Sequence, residues 1–238
     1  MNISKGFVIH HPPHGYVRYV EHLGTDQRIV EAARISYGSP SKGEEVDKKL
    51  LEYLFKNRHT SPFEQCNITF NIKMPIFIMR QFVRHRTFRL NEVSARYSEM
   101  PNEFYVPEAW RKQGEKNKQG SDIDPNAVFS WHEGNSNILE ASYDKAYHAY
   151  ELLIERGVAK EQARMVLPVG LYTEIYVNCD LHNLVHFFNL RTDPHAQKEM
   201  QDVAYAMLTI AEQLFPWTIA LFDKYKPRMV QEDRIRKI

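Results

Sequence analysis

The chain has 238 residues, 43% of them hydrophobic and 26% charged, with 31 Lys+Arg against 30 Asp+Glu. That length suits one large domain whose core needs neither disulfides nor a structural metal, and the near-neutral charge argues against a general nucleic-acid binder. Cys66 and Cys179 are the only cysteines, which excludes a disulfide scaffold and suits a reducing cytoplasm.

Met1 to Gly6 carries one positive charge and no apolar core of signal-peptide length. No later run approaches the ~20 apolar residues of a membrane span. Tyr16 to Val20 alternates and is rich in strand formers after the Pro12-Pro13 turn. Thr25 or Asp26 caps a helix to about Ile35. A second helix is expected from Glu44 to Asn57, with Val46, Leu50, Leu51, Leu54 and Phe55 at helical spacing. Cys66, Ile68, Phe70 and Ile72 alternate with Gln65, Asn67, Thr69 and Asn71, the pattern of a half-buried strand. Pro75 stops it and opens a helix carrying Ile76, Met79, Phe82 and Val83.

Pro101 to Gly134 is rich in Gly, Pro and polar residues, with Lys112, Lys116 and Lys118 around two glycines. It is expected as a long surface loop with room for one strand at Phe104-Tyr105-Val106, mobile and bordering the site. Asn137 to Arg156 reads as a long helix ended by Gly157, and Lys160 to Leu167 as a short one stopped by Pro168. Leu171 to Val177 alternates like a strand. Leu181 to Leu190 is helical, and Pro194 opens a last helix to about Leu214. The sum is one α+β domain over residues 1–238, with long helices packed around a small, mostly antiparallel sheet.

The chemistry concentrates in Arg84-His85-Arg86-Thr87-Phe88-Arg89-Leu90-Asn91-Glu92-Val93-Ser94-Ala95-Arg96-Tyr97-Ser98. A solvated charge run would be richer in Lys and Glu. Arginine forks suit planar, bidentate anions, so the run points to a large phosphorylated ligand. Four further segments have ordinary readings of their own. His59-Thr60-Ser61-Pro62-Phe63-Glu64 can be a helix end and a turn. In Gln162-Ala163-Arg164-Met165-Val166-Leu167-Pro168, Arg164 on an apolar turn is costly to bury without an anion or a carboxylate partner. His182 and His186 share a helical face after Asp180, a metal-ligand spacing with no third ligand in view, so no metal is assigned. Arg191 sits at a helix C-terminus, where a cation alone contributes only ~0.3–1 kcal/mol.

Arg84-His85-Arg86, seven residues and then Ser94 resembles the signature of the flavin-dependent thymidylate synthases, and Asn91-Glu92, Arg96 and Tyr97-Ser98 extend the likeness. Arg89 departs from it, since the family often has a small hydroxyl residue there. The segments around Ser61, Arg164, Asp180 and Arg191 are also similar, although the family often offers Asn and Arg where this chain has Asp180 and His182. The resemblance implies methylation of dUMP to dTMP with 5,10-methylenetetrahydrofolate as carbon donor, reduced FAD as hydride donor and NADPH as the flavin's reductant. Ser61, Arg84, His85, Arg86, Glu92, Asp180, His182 and His186 would hold the flavin, with His59 beside it. Gln81, Arg84, Glu92, Ser94, Arg96 and Arg164 would hold dUMP. Arg191 would be catalytic, its fixed charge favouring the N3-deprotonated uracil. The resemblance further implies a homotetramer with shared sites.

Neither cysteine sits where a base could activate it, so a thiolate nucleophile is not expected. Ser94 likewise has no His-Asp partner in the sequence and reads as a phosphate or ribose donor. Two rival readings stay open: an arginine-rich nucleic-acid-binding module with Phe88 and Tyr97 as stacking faces, and a related flavoenzyme methylating another uracil-containing substrate.

Overall fold

The computed structural model describes residues 3–114, 120–123 and 129–225. In chain order it contains β1 (Val8–His11), β2 (Gly15–Leu23), α1 (Asp26–Arg34), α2 (Glu44–Lys56), α3 (Ser61–Glu64), β3 (Asn67–Pro75), α4 (Ile76–Phe82) and β4 (Arg89–Glu92). There follow β5 (Arg111–Gln113), β6 (Ser121–Ile123), α5 (Phe129–Glu155), α6 (Lys160–Ala163), β7 (Tyr172–Asp180), α7 (Leu181–Arg191), α8 (Lys198–Leu214) and α9 (Pro216–Tyr225).

Five strands form one antiparallel sheet in the order β1-β2-β3-β7-β4. The alternation in β3 and β7 decides its two faces. Ile68, Phe70, Ile72, Met74, Ile175, Val177 and Cys179 point into the core, where helical residues such as Leu184, Phe188, Met207 and Ile210 cover them. The opposite face carries Asn67, Thr69, Asn71, Glu174, Tyr176 and Asn178. There Asn71 donates to Glu174 at 2.8 Å and Asn178 donates to Thr69 Oγ1 at 2.9 Å. A second apolar cluster of Met100, Phe104, Tyr143 and Leu171 forms under α5. The α+β reading therefore holds, with helices gathered mainly on one face of the antiparallel sheet.

Local chemistry accounts for several boundaries. Thr25 caps α1, its hydroxyl accepting from Arg28 N at 3.3 Å. Asp180 caps α7, accepting from Asn183 N at 2.9 Å. Asp26 crosses the core to cap α9, accepting from the backbone N–H groups of Trp217 and Thr218 at 2.8 and 3.1 Å.

The signature is a turn, then edge strand β4 paired to β7 from Arg89↔Asn178 to Glu92↔Ile175, then another turn. Three sequence expectations need correction. The 101–134 segment is not all loop, since β5 and β6 pair as a hairpin and α5 starts at Phe129 rather than Asn137. Trp110 anchors that early turn, donating from Nε1 to Ser136 at 3.0 Å and from its backbone N to His132 at 3.2 Å. Tertiary contacts there override the poor helix propensity of Gly134. The strand expected at Phe104–Val106 reduces to a single bridge between Phe104 and Leu171, and Lys116 and Lys118 lie outside the described residues. Finally α8 opens at Lys198, not Pro194, because Asp193 accepts from His195 N at 2.8 Å and closes a turn of its own.

Candidate active site

Where α4 ends, Arg84 N and His85 N donate to Gln81 O and Phe82 O at 3.2 and 3.1 Å. This tight turn leaves Arg84 and Arg86 exposed. It drives Phe88 inward against Phe82 and Phe187, with ring centroids 5.2 and 5.3 Å away. The His85 ring stands edge-on to Phe187 at 4.8 Å. Its Nε2 accepts a hydrogen bond of 2.9 Å from Nε of Arg191, in the last turn of α7. Burial, then the charge of Arg191, then His186 lower the His85 pKa to about 4. Burial also lowers the pKa of Arg191, yet a guanidinium stays charged at any working pH. On the other side of the turn, half-buried Gln81 donates to the Gln197 side chain just ahead of α8.

A second group gathers the rest of the signature. Glu92 accepts from Thr173 Oγ1 at 2.6 Å, tying β4 to the start of β7. Ser94 Oγ accepts from Arg96 N at 3.3 Å. The Arg96 guanidinium lies 5.4 Å from the Tyr97 ring and 3.5 Å from Glu161 of α6. Arg164 follows three residues after Glu161. The cost of burying Arg164 does not arise, because the short α6 buries only Ala163 before it tightens into a 3-10 turn. That turn presents Arg164 and Met165 to solvent, and among the described residues no carboxylate pairs with Arg164.

A third group surrounds a cavity of about 600 Å³ lined by Glu64, Gln65, Asn67, Arg89, Asn178, Asp180 and Asn183. Arg89 donates to Asn178 Oδ1 at 3.3 Å, as the β4–β7 register dictates. The Asp180 carboxylate also takes Asn183 Nδ2 at 2.8 Å, so the α7 cap forms part of the cavity wall. Ser61 is exposed at the start of α3, and His59 packs edge-on to Tyr53 at 5.7 Å. His182 is half-buried and His186 exposed. Among the described residues no group of three or more His, Cys, Asp or Glu could hold a metal ion, and no helix is long and apolar enough to cross a membrane. Both cysteines are buried, and burial raises both thiols, Cys66 to about 11.

In one chain the predicted residues thus gather in three groups, joined by β4 and by α7. Sequence reasoning missed Gln197 as the partner of Gln81, and it missed the amides Asn67 and Asn178 as cavity walls. The signal for the two amides was the polar half of the β3 and β7 alternation, which marks a face without saying what faces it.

A family model described as "Thymidylate synthase complementing protein" (Thy1) matches residues 18–217. A flavin-dependent thymidylate synthase of Thermus thermophilus is 46% identical over 214 residues, covering 89% of this chain and 76% of that protein. The flavin-dependent thymidylate synthase of Pseudothermotoga lettingae is 40% identical over 212 residues, covering 89% and 91%. Among solved structures, the UMP/dUMP methylase PolB from Streptomyces cacaoi bound with 5-Br dUMP superposes with a TM-score of 0.82 at 34% identity, covering 89% of this chain and 96% of that one. The signature on its turn and edge strand, the antiparallel sheet behind it and these likenesses agree: the chain belongs to the flavin-dependent thymidylate synthases.

Proposed function

We propose that this enzyme methylates dUMP to dTMP, with 5,10-methylenetetrahydrofolate as carbon donor. Reduced FAD would supply the hydride when bound, and NADPH would restore it. The observation that carries this reading is the Arg191–His85 contact, which fixes a charged guanidinium beside the signature turn. Arg191 would stabilise the uracil as its N3 loses a proton, making the ring electron-rich for attack on the one-carbon unit. Exposed Arg164 and Arg96, with Ser94, would hold the phosphate, and Gln81 the base or ribose. Glu92 would lie at the boundary between nucleotide and flavin.

The residues present suit the flavin. Glu64 and Asp180 can accept from ribose hydroxyls, the cavity amides can meet an adenine edge, and the exposed forks of Arg84 and Arg86 fit a diphosphate. Ser61, His182 and His186 would complete that wall. The enzyme would act as a homotetramer with sites shared between subunits, the exposed Arg84, Arg86, Arg96 and Arg164 being open to neighbouring copies, and the whole 238-residue chain would act as one domain. The description of PolB as a UMP/dUMP methylase supports a second reading, in which UMP competes for the pocket.

The deciding experiment mixes purified protein with FAD, records the visible spectrum after desalting, and then adds dUMP or UMP. A retained flavin spectrum perturbed by dUMP, with dTMP formed once folate and NADPH are supplied, supports the proposal. A stronger response to UMP favours the second reading. No retained flavin under any condition overturns both.

A further inference from the structure

Arg191 and His85 meet through a side-chain hydrogen bond. The guanidinium donates from Nε at 2.9 Å to an imidazole, and burial, not a carboxylate, shifts its pKa. The histidine is held from three directions. Its backbone N donates to Phe82 O at 3.1 Å, and its carbonyl accepts from Phe88 N at 3.1 Å. Its ring stands edge-on to Phe187 at 4.8 Å and lies tilted against Phe88 at 5.8 Å. Phe187 and Arg191 are four residues apart on α7, hence on one helical face. The same helix therefore supplies the arginine and the wall that fixes the arginine's partner.

Because Nε2 accepts, the ring proton must lie on Nδ1 and the imidazole must be neutral. Burial, Arg191 and His186 together keep it so, with a pKa lowered to about 4. Two consequences follow for the guanidinium. Its Nε edge is occupied, which leaves the two terminal Nη groups as an end-on fork. Its charge is also left whole. A carboxylate in the place of His85 would orient the fork equally well, but it would cancel most of the field that Arg191 exerts on a nearby ligand.

We infer that His85 is a positioning residue for the reaction: it aims Arg191 through a neutral hydrogen bond and so preserves the full positive charge, and the Nη fork, for the pyrimidine anion. This rests on the proposed role of Arg191 and goes beyond the flavin contact that the family resemblance implies for His85.

The test uses the full-length, FAD-loaded enzyme with His85→Gln, His85→Glu and His85→Phe, and Arg191→Ala in parallel. His85→Gln keeps a neutral acceptor and should retain turnover within about tenfold, one hydrogen bond's worth. His85→Phe keeps the ring packing and loses the acceptor, so kcat measured at saturating FAD should fall by about another tenfold or more. His85→Glu restores an acceptor but quenches the charge, so its kcat should be low at neutral pH and recover towards alkaline pH as uracil ionises unaided. Equal pH profiles for the Gln and Glu variants, or wild-type kcat in the Phe variant, would overturn the inference. An inactive Arg191→Ala beside such results confines the failure to His85, whereas an active Arg191→Ala removes the proposed role of Arg191 itself. Independently of turnover, nitrogen NMR of histidine-labelled enzyme should show His85 with Nε2 unprotonated and no titration near the ordinary value of 6.5. An imidazolium forming in that range would contradict the arrangement.

Discussion

Arg111 on the hairpin strand β5 donates from Nη2 to Glu199 Oε1 in the first turn of α8, at 2.6 Å, with side-chain exposures of only 20% and 8%. Tyr105 donates to the same oxygen at 3.0 Å. Gln197, two residues before Glu199, is the partner of Gln81. The hairpin that follows the signature is thus tied to the same end of α8 that borders the proposed nucleotide site.

Breaking that pair should be costly. Glu199→Gln leaves the Arg111 guanidinium poorly compensated, and a loss of about 3 kcal/mol is expected, the lower end of the range for a broken buried pair. Burial is the largest single influence and pushes the Glu199 carboxyl up, but the hydrogen bond and charge of Arg111, with further hydrogen bonds from the backbone and Gln197, together outweigh it and hold the pKa below the ordinary 4.5. The stability it contributes is therefore complete above that ordinary value and is lost as pH falls through the lower folded one. Urea unfolding of wild type and variant should converge on acidification; parallel curves would refute the assignment.

His11 predicts a different window. Burial lowers its pKa to about 4, with Asp202 opposing and His10 and Lys198 assisting, against 6.5 when unfolded. The unfolded chain then binds more protons between these values. Stability should fall as pH drops through that interval, by on the order of 3 kcal/mol from this residue. His11→Phe should flatten that slope in urea titrations at several pH values. The ring also explains Gly15, where a Cβ would overlap the His11 imidazole. Gly15→Ala should cost about 1–3 kcal/mol through overpacking.

Arg164 separates binding from folding. It is exposed and no carboxylate pairs with it among the described residues, so Arg164→Ala should change stability by less than about 0.5 kcal/mol. If it meets the phosphate, dUMP binding should weaken by roughly 1.5–3 kcal/mol, the scale of a hydrogen bond to a charged group. Calorimetric titration with dUMP reads the second quantity directly, and an unchanged affinity would remove Arg164 from the phosphate site.

Arg89 tests the cavity. It is the positive member of a wall that also carries Glu64 and Asp180. Arg89→Ser should weaken FAD by about tenfold, one ~1.4 kcal/mol step, and leave FMN little affected, because FMN lacks the adenosine half. Equal losses for both flavins would place the cavity elsewhere in the chemistry.

The alternation of β3 was legible because burying one face of a strand forces a period of two. The cap of α1 was legible because Thr25 satisfies a backbone group three residues on. The helix α9 carried no clear sequence signal, since its cap is Asp26, far away in the chain. The early start of α5 was hidden for the same reason, its anchor being Trp110.

By itself the sequence determined the family, the antiparallel α+β plan and the residue types available for anion recognition. These depend on local periodicity and on a motif whose spacing survives without coordinates. Tertiary structure alone decided which side chains meet: Arg191 with His85, Gln81 with Gln197, Arg89 with Asn178, and Arg164 with solvent. Such pairings depend on strand register and on how helices close over a sheet. Contacts between residues far apart in the chain arise from the packing of the whole core, which no local pattern records.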